Sequence, residues 1–137
     1  MRAITYAASL DPYSISVTRR WIGRVISALM VLFLFVDGLT KALQVAPVVE
    51  ASAQLGFSAS ATLGIGVLLL VCLVIHLIPQ TAPLGAILLT GYLGGAAATH
   101  VRFGSPLFSV IFPVILGALI WLGLYLRDAR LRTLLPL

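Results

Sequence analysis

The sequence predicts an all-α fold: a four-helix transmembrane bundle with a short amphipathic helix in its first outer connection. Three observations carry that prediction. Of 137 residues, 61% are hydrophobic and only 9% are charged, with a mean hydropathy of +1.12; soluble domains run at roughly 45–50% apolar and about 25% charged. The apolar residues fall into four blocks, each near the roughly 20 residues that cross a ~30 Å hydrocarbon core. The bases Arg19, Arg20 and Arg24 lie near one end, and Arg127, Arg130 and Arg132 near the other.

The net charge of +5 does not point to nucleic acid. The basic clusters are not interleaved with aromatic residues and match no nucleic-acid module; they flank the hydrophobic block as the positive-inside pattern requires. The single cysteine, Cys72, excludes an intramolecular disulfide and a CxxC pair and reads as a small apolar residue.

Residues 1–18 read as a cytoplasmic N-terminal segment and 19–137 as a single four-span membrane domain. The first span runs from about Arg20 to Leu43. It follows a basic cluster, as a signal peptide does, but no small-x-small cleavage site follows and "VDGLTKALQ" continues as helix, so the segment is expected to remain as a span. The first outer connection contains a short helix: Pro47 suits its first turn and Gly56 its end. Val48, Ala51 or Ser52, and Leu55 fall on one face, with Glu50 and Gln54 on another. Such a helix lies on the bilayer surface, caps the bundle or serves as a lid.

The second span runs from about Ala59 to Ile78 and ends at "PQTAP" (Pro79 to Pro83), whose prolines stop the helix. The third runs from about Leu84 to Val101, the fourth from about Pro106 to Leu126. The closing "YLRDARLRTLLPL" is expected to continue the fourth helix past the membrane, offering Arg130 and Arg132 to anionic headgroups. Four spans place both basic ends on one side, which the positive-inside rule makes cytoplasmic.

That topology gathers polar residues at the outer end. Asp37 and Lys41 are four residues apart on one helical face, acid before base, the favourable order for an ion pair. The third span brings Thr99, His100 and Arg102 to the same depth. Ionisable residues inside a span are candidates for function; they are equally read as a paired acid, a snorkelling lysine and rim anchors. Gly91 with Gly95, and Gly94 with Ala98, form small-xxx-small pairs and are expected to form a helix-packing face.

Several chemistries find no support. His76 and His100 stand at opposite ends, so no paired-histidine haem site forms. A metal site needs more ligands than one His with one or two acids, and no P-loop, dinucleotide fingerprint or Ser/His/Asp pattern is present. His76 alone reads as an interfacial residue.

The stretch "GAILLTGYLGGAAATHVRFGSPLF" (Gly85 to Phe108), with "DGLTK" (Asp37 to Lys41), "LGFSAS" (Leu55 to Ser60), "LIPQTAPLGA" (Leu77 to Ala86) and "YLRDARLRTLLPL", resembles the DoxX-like family of small four-helix membrane proteins. The resemblance covers about Arg20 to the C-terminus and implies a protein of the bacterial inner membrane. Its relatives are linked to a thiosulfate:quinone oxidoreductase and to membrane oxidoreductase complexes. The family's recurring polar positions correspond to Asp37, Lys41, Thr99, His100 and Arg102. Many relatives have a glutamate where Val67 stands, and some a histidine where Val110 stands. Both departures remove groups that a proton or quinone site would use.

The leading expectation is an accessory membrane subunit that binds a hydrophobic small molecule (a quinone or lipid) or a partner protein at an outer mouth lined by Asp37, Lys41, His100 and Arg102. Two alternatives stay open: a quinone-linked oxidoreductase subunit, with His100 and Asp37 relaying protons, and a structural module whose glycine face forms a homo-oligomer.

Overall fold

The computed structural model describes residues 16–136; the expected N-terminal segment lies outside them up to residue 15. Six helices follow in order: α1 (Val17–Ala42), α2 (Ala46–Gln54), α3 (Ala59–Leu77), α4 (Ala82–Arg102), α5 (Leu107–Arg127) and α6 (Ala129–Leu134). Four of them, α1, α3, α4 and α5, are long and apolar enough to cross a membrane. The chain is a multi-pass membrane protein.

Helices suit this chain because a span in lipid must satisfy every backbone N–H and C=O internally. Their starts are set by side chains. Ser16 accepts from the Arg19 amide at 3.3 Å and Ser58 from the Ala61 amide at 3.1 Å. Pro47 and Pro83 occupy first-turn positions of α2 and α4, where the missing N–H has no intrahelical role. Gly56 ends the α2 connection at φ +81°, a conformation glycine adopts without strain.

Two details differ from the expectation. Helix α1 begins at Val17, where Ser16 caps it, and α4 at Ala82, where Pro83 fits the first turn, each a few residues earlier than the hydropathy boundaries. The fourth span does not run on through the C-terminus: Asp128 leaves helical geometry at φ −109°, ψ 111°, and its carboxylate accepts from the Arg130 amide at 2.9 Å to begin α6. His76, at the end of α3, is packed inside the bundle at 2% exposed, a burial that hydropathy does not reveal.

The four spans form a ring in the order α1, α3, α4, α5, so that α1 and α4 stand on a diagonal. The core lies along the axis: Leu34, Leu69, Leu89, Ile120 and Leu124 are each 2% exposed or less. Lipid is as apolar as leucine, so close packing rather than water exclusion holds such helices together. Glycines permit that packing at three crossings. A Cβ on Gly23 would stand 2.9 Å from the Gly123 carbonyl oxygen, and one on Gly66 would stand 2.8 Å from the Gly38 carbonyl oxygen. A Cβ on Gly85 would overlap the His76 backbone.

His76 is buried at that last crossing, where its Nδ1–H donates to the Ala82 carbonyl at 3.0 Å. The bond joins the end of α3 to the start of α4 and satisfies the imidazole in the core. Thr81 reinforces the turn, its hydroxyl donating to the Ile75 carbonyl at 2.8 Å. On the other side of α4, the Trp121 indole donates to the Thr90 hydroxyl at 2.8 Å.

Candidate functional site

Helices α3 and α4 touch closely where Gly85 meets His76, and separate towards the α2 end. Along α4 the side of Gly91 and Gly95 meets no neighbour: a Cβ on either glycine, or on Gly94, would find nothing within 4 Å. The stripe expected to pack one helix against another therefore meets no other helix at these glycines among the described residues. Gly91 and Gly95 instead leave room, and a cavity of about 520 Å³ opens between α3 and α4 beneath α2.

Its walls come from four elements. Thr62, Ile65 and Cys72 supply the α3 side, and Tyr92, Ala96 and Thr99 the α4 side beside the two glycines. Ser52 of α2, with Leu55 and Phe57 in the turn that follows it, closes the end of the bundle. Leu68 and Leu88 also line the cavity, and they are 55% and 39% exposed. The mouth thus faces sideways, towards lipid, rather than along the bundle axis.

Two basic residues reach it. Lys41 comes from α1, across the diagonal from α4. Its ammonium is held by the Asp37 carboxylate one turn earlier and donates to the Tyr92 hydroxyl at 3.3 Å. The lysine is only 18% exposed while its acid is 36% exposed. Asp37 fixes Lys41 from outside the cavity and does not line it. A tight α1–α3 crossing sets the lysine's direction, since the Lys41 Cβ lies 2.7 Å from where a Gly66 Cβ would be.

The second residue is His100, near the end of α4. Its Nδ1 lies 3.0 Å from the Ser105 hydroxyl in the turn before α5, which orients the ring and leaves Nε2 free of that contact. Thr99 lines the cavity too, but its hydroxyl donates to the Gly95 carbonyl at 2.9 Å. Arg102 is absent from the walls; it is exposed, with its guanidinium 5.8 Å from the Phe103 ring centre.

The expected constellation is therefore divided. Lys41, Thr99 and His100 meet at the cavity, Asp37 stands behind Lys41, and Arg102 stands apart. The expected helix-packing set is divided as well: Gly91 and Gly95 border the cavity, while Gly94 and Ala98 are exposed. Sequence reasoning missed Tyr92, which joins Lys41 to α4. A signal for it was present: Tyr92, Ala96 and Thr99 follow the i, i+4, i+7 spacing of one helical face.

Chemically the arrangement offers a largely apolar chamber with hydrogen-bond donors gathered near one end, the ordinary composition of a small-molecule site. Among the described residues no three of His, Cys, Asp or Glu gather as a metal-binding group.

The comparison with known families agrees with this architecture. The model of the DoxX-like family matches residues 25–123, from the second quarter of α1 into the last quarter of α5. No curated protein and no solved structure matches the chain. With that match extending over well more than half of its length, the chain belongs to the DoxX-like family.

Proposed function

We propose that this protein is an accessory subunit of the bacterial inner membrane, with both termini cytoplasmic, that binds a membrane-soluble molecule with a hydrogen-bond-accepting head. A quinone or a lipid has that chemistry. The supporting observation is the sideways mouth of the α3–α4 cavity at the level of Lys41: a ligand dissolved in the bilayer enters without crossing water.

In this reading each polar residue has a distinct task. Lys41 presents a positive charge to the ligand's carbonyl or ester oxygen. Asp37 keeps Lys41 ionised and oriented, because an unpaired charge at this depth is costly. Tyr92 accepts from Lys41 and has its own hydroxyl proton to donate. His100, held through Nδ1, donates from Nε2. Gly91 and Gly95 admit a flat ring or an acyl chain against the α4 backbone.

The test uses the full chain in lipid nanodiscs, titrated with decylubiquinone and followed by intrinsic fluorescence, with extraction of co-purifying quinones and lipids. Saturable binding is expected, and K41M together with H100A weakens it at least tenfold, since a lost hydrogen bond to a charged group is worth about 1.5–3 kcal/mol. Absence of both saturable binding and a co-purifying molecule in the wild type would sink the proposal.

A further inference from the structure

At the opposite end of the bundle a second hollow runs beside α1, with a volume of about 410 Å³. It is bordered on α1 by Arg24, Ser27, Val31 and Phe35, spaced i, i+3, i+7 and i+11, and by Arg127 at the end of α5. From Arg24 to Phe35 the helix rises about 16 Å at 1.5 Å per residue. Two guanidinium groups thus stand at one end of an apolar groove.

Neither group forms an ion pair among the described residues. The only ion pair among the described residues is Lys41 with Asp37, at the other end of the molecule. The nearest acid in sequence, Asp128, uses its carboxylate to cap α6. Arg24 has the Trp21 ring 5.8 Å from its guanidinium carbon, a contact that leaves its N–H donors available. Two polar atoms at the hollow are buried without a hydrogen-bond partner among the described residues: the Arg127 Nε and the hydroxyl of Ser27, a residue only 5% exposed. Buried polar atoms ordinarily have partners, so this end is built for an acceptor that the described residues do not supply.

The tight α1–α5 crossing explains the geometry. Gly23 and Gly123 let the two backbones touch, with a Cβ on Gly23 standing 3.0 Å from the Arg127 amide nitrogen. Arg24 and Arg127 are thereby carried to the same level from different helices. The apolar remainder of the groove continues along α1 into the lipid-facing surface, where Leu32 is 60% and Phe35 46% exposed.

We infer that Arg24, Arg127 and Ser27 form a binding site for the phosphate of an anionic phospholipid, one acyl chain of which lies along Val31, Leu32 and Phe35. Guanidinium groups bind phosphate oxygens through paired N–H donors, and basic pockets between spans hold anionic headgroups in this way. The site is separate from the α3–α4 cavity and does not depend on what that cavity holds. It is also distinct from Arg130 and Arg132, which lie beyond the helix break.

The experiment is native mass spectrometry of the full chain released from detergent micelles containing equal amounts of dioleoylphosphatidylglycerol and dioleoylphosphatidylcholine. One phosphatidylglycerol is expected to be retained in preference to phosphatidylcholine. R24Q/R127Q lowers that preference at least tenfold, whereas R130Q/R132Q leaves it within twofold. R24K/R127K keeps both charges, so it serves where the glutamine pair folds poorly; it lowers the preference severalfold because an ammonium lacks the planar fork. Equal retention of the two lipids by the wild type, or wild-type preference in a folded glutamine or lysine pair, overturns the assignment. Inorganic phosphate that displaces the lipid at the same concentration as dioleoylphosphatidylglycerol itself also overturns it, because the acyl groove would then contribute nothing.

Discussion

The Lys41 ammonium lies 3.3 Å from the Tyr92 hydroxyl, a contact that joins α1 to α4 across the diagonal of a ring in which those two helices are not neighbours. It sets the depth at which the α3–α4 cavity ends in polar groups, and it couples the Asp37–Lys41 pair to the cavity wall. Polar contacts between spans are worth about 0.6 kcal/mol on average by double-mutant cycles. A cycle of K41M and Y92F, read by thermal unfolding in detergent, is expected to give a coupling of that size. Strictly additive effects would show that the contact carries no energy.

Glycine substitutions separate packing from space-making. G66A places a methyl group within 2.8 Å of the α1 backbone and against Lys41, and overpacking of this kind costs about 1–3 kcal/mol. G94A meets nothing within 4 Å and is expected to change stability by under about 0.5 kcal/mol. Equal melting shifts for the two variants would contradict the assigned crossings.

A leucine at position 95 tests the cavity differently. G95L projects a side chain into open space, so ligand retention is expected to fall at least tenfold while the melting temperature without ligand moves little. Circular dichroism melts and decylubiquinone titration on the same preparation supply both readings. A large loss of stability with binding intact would make this face a packing surface, for instance between copies of the chain.

His76 is a structural histidine on this reading. H76L removes the donor to the Ala82 carbonyl at the α3–α4 turn, and a lost buried partner costs about 1–3 kcal/mol. The expected result is a lower melting temperature with quinone binding per folded molecule unchanged. A wild-type melting temperature would mean that the bond contributes nothing.

The spans, the short α2 helix and the pairing of Asp37 with Lys41 were legible because each depends on local pattern. Length and hydropathy give a span, an i,i+4 spacing gives an ion pair, and Pro47 with Gly56 brackets a helix. The end of the fourth span was less legible, since Asp128 is both helix-compatible in composition and a good cap; geometry decided between these roles. The burial of His76 was not legible for a related reason: the Ala82 carbonyl that it bonds lies across a turn, and pairing across a turn has no hydropathy signature.

The sequence by itself determined the number of spans, their alternation and which polar residues share an end, because hydropathy and helical periodicity act within single segments. Only the tertiary structure decided the ring order, and with it the partner of every face. Placing α1 opposite α4 brought Lys41 to Tyr92 and left Arg102 outside. The tight crossing at Gly85 and the divergence beyond it left Gly91 and Gly95 along a cavity wall rather than against a neighbouring span of the same chain. A glycine permits either a close approach or an empty space, and which one results depends on the angle at which the next helix passes.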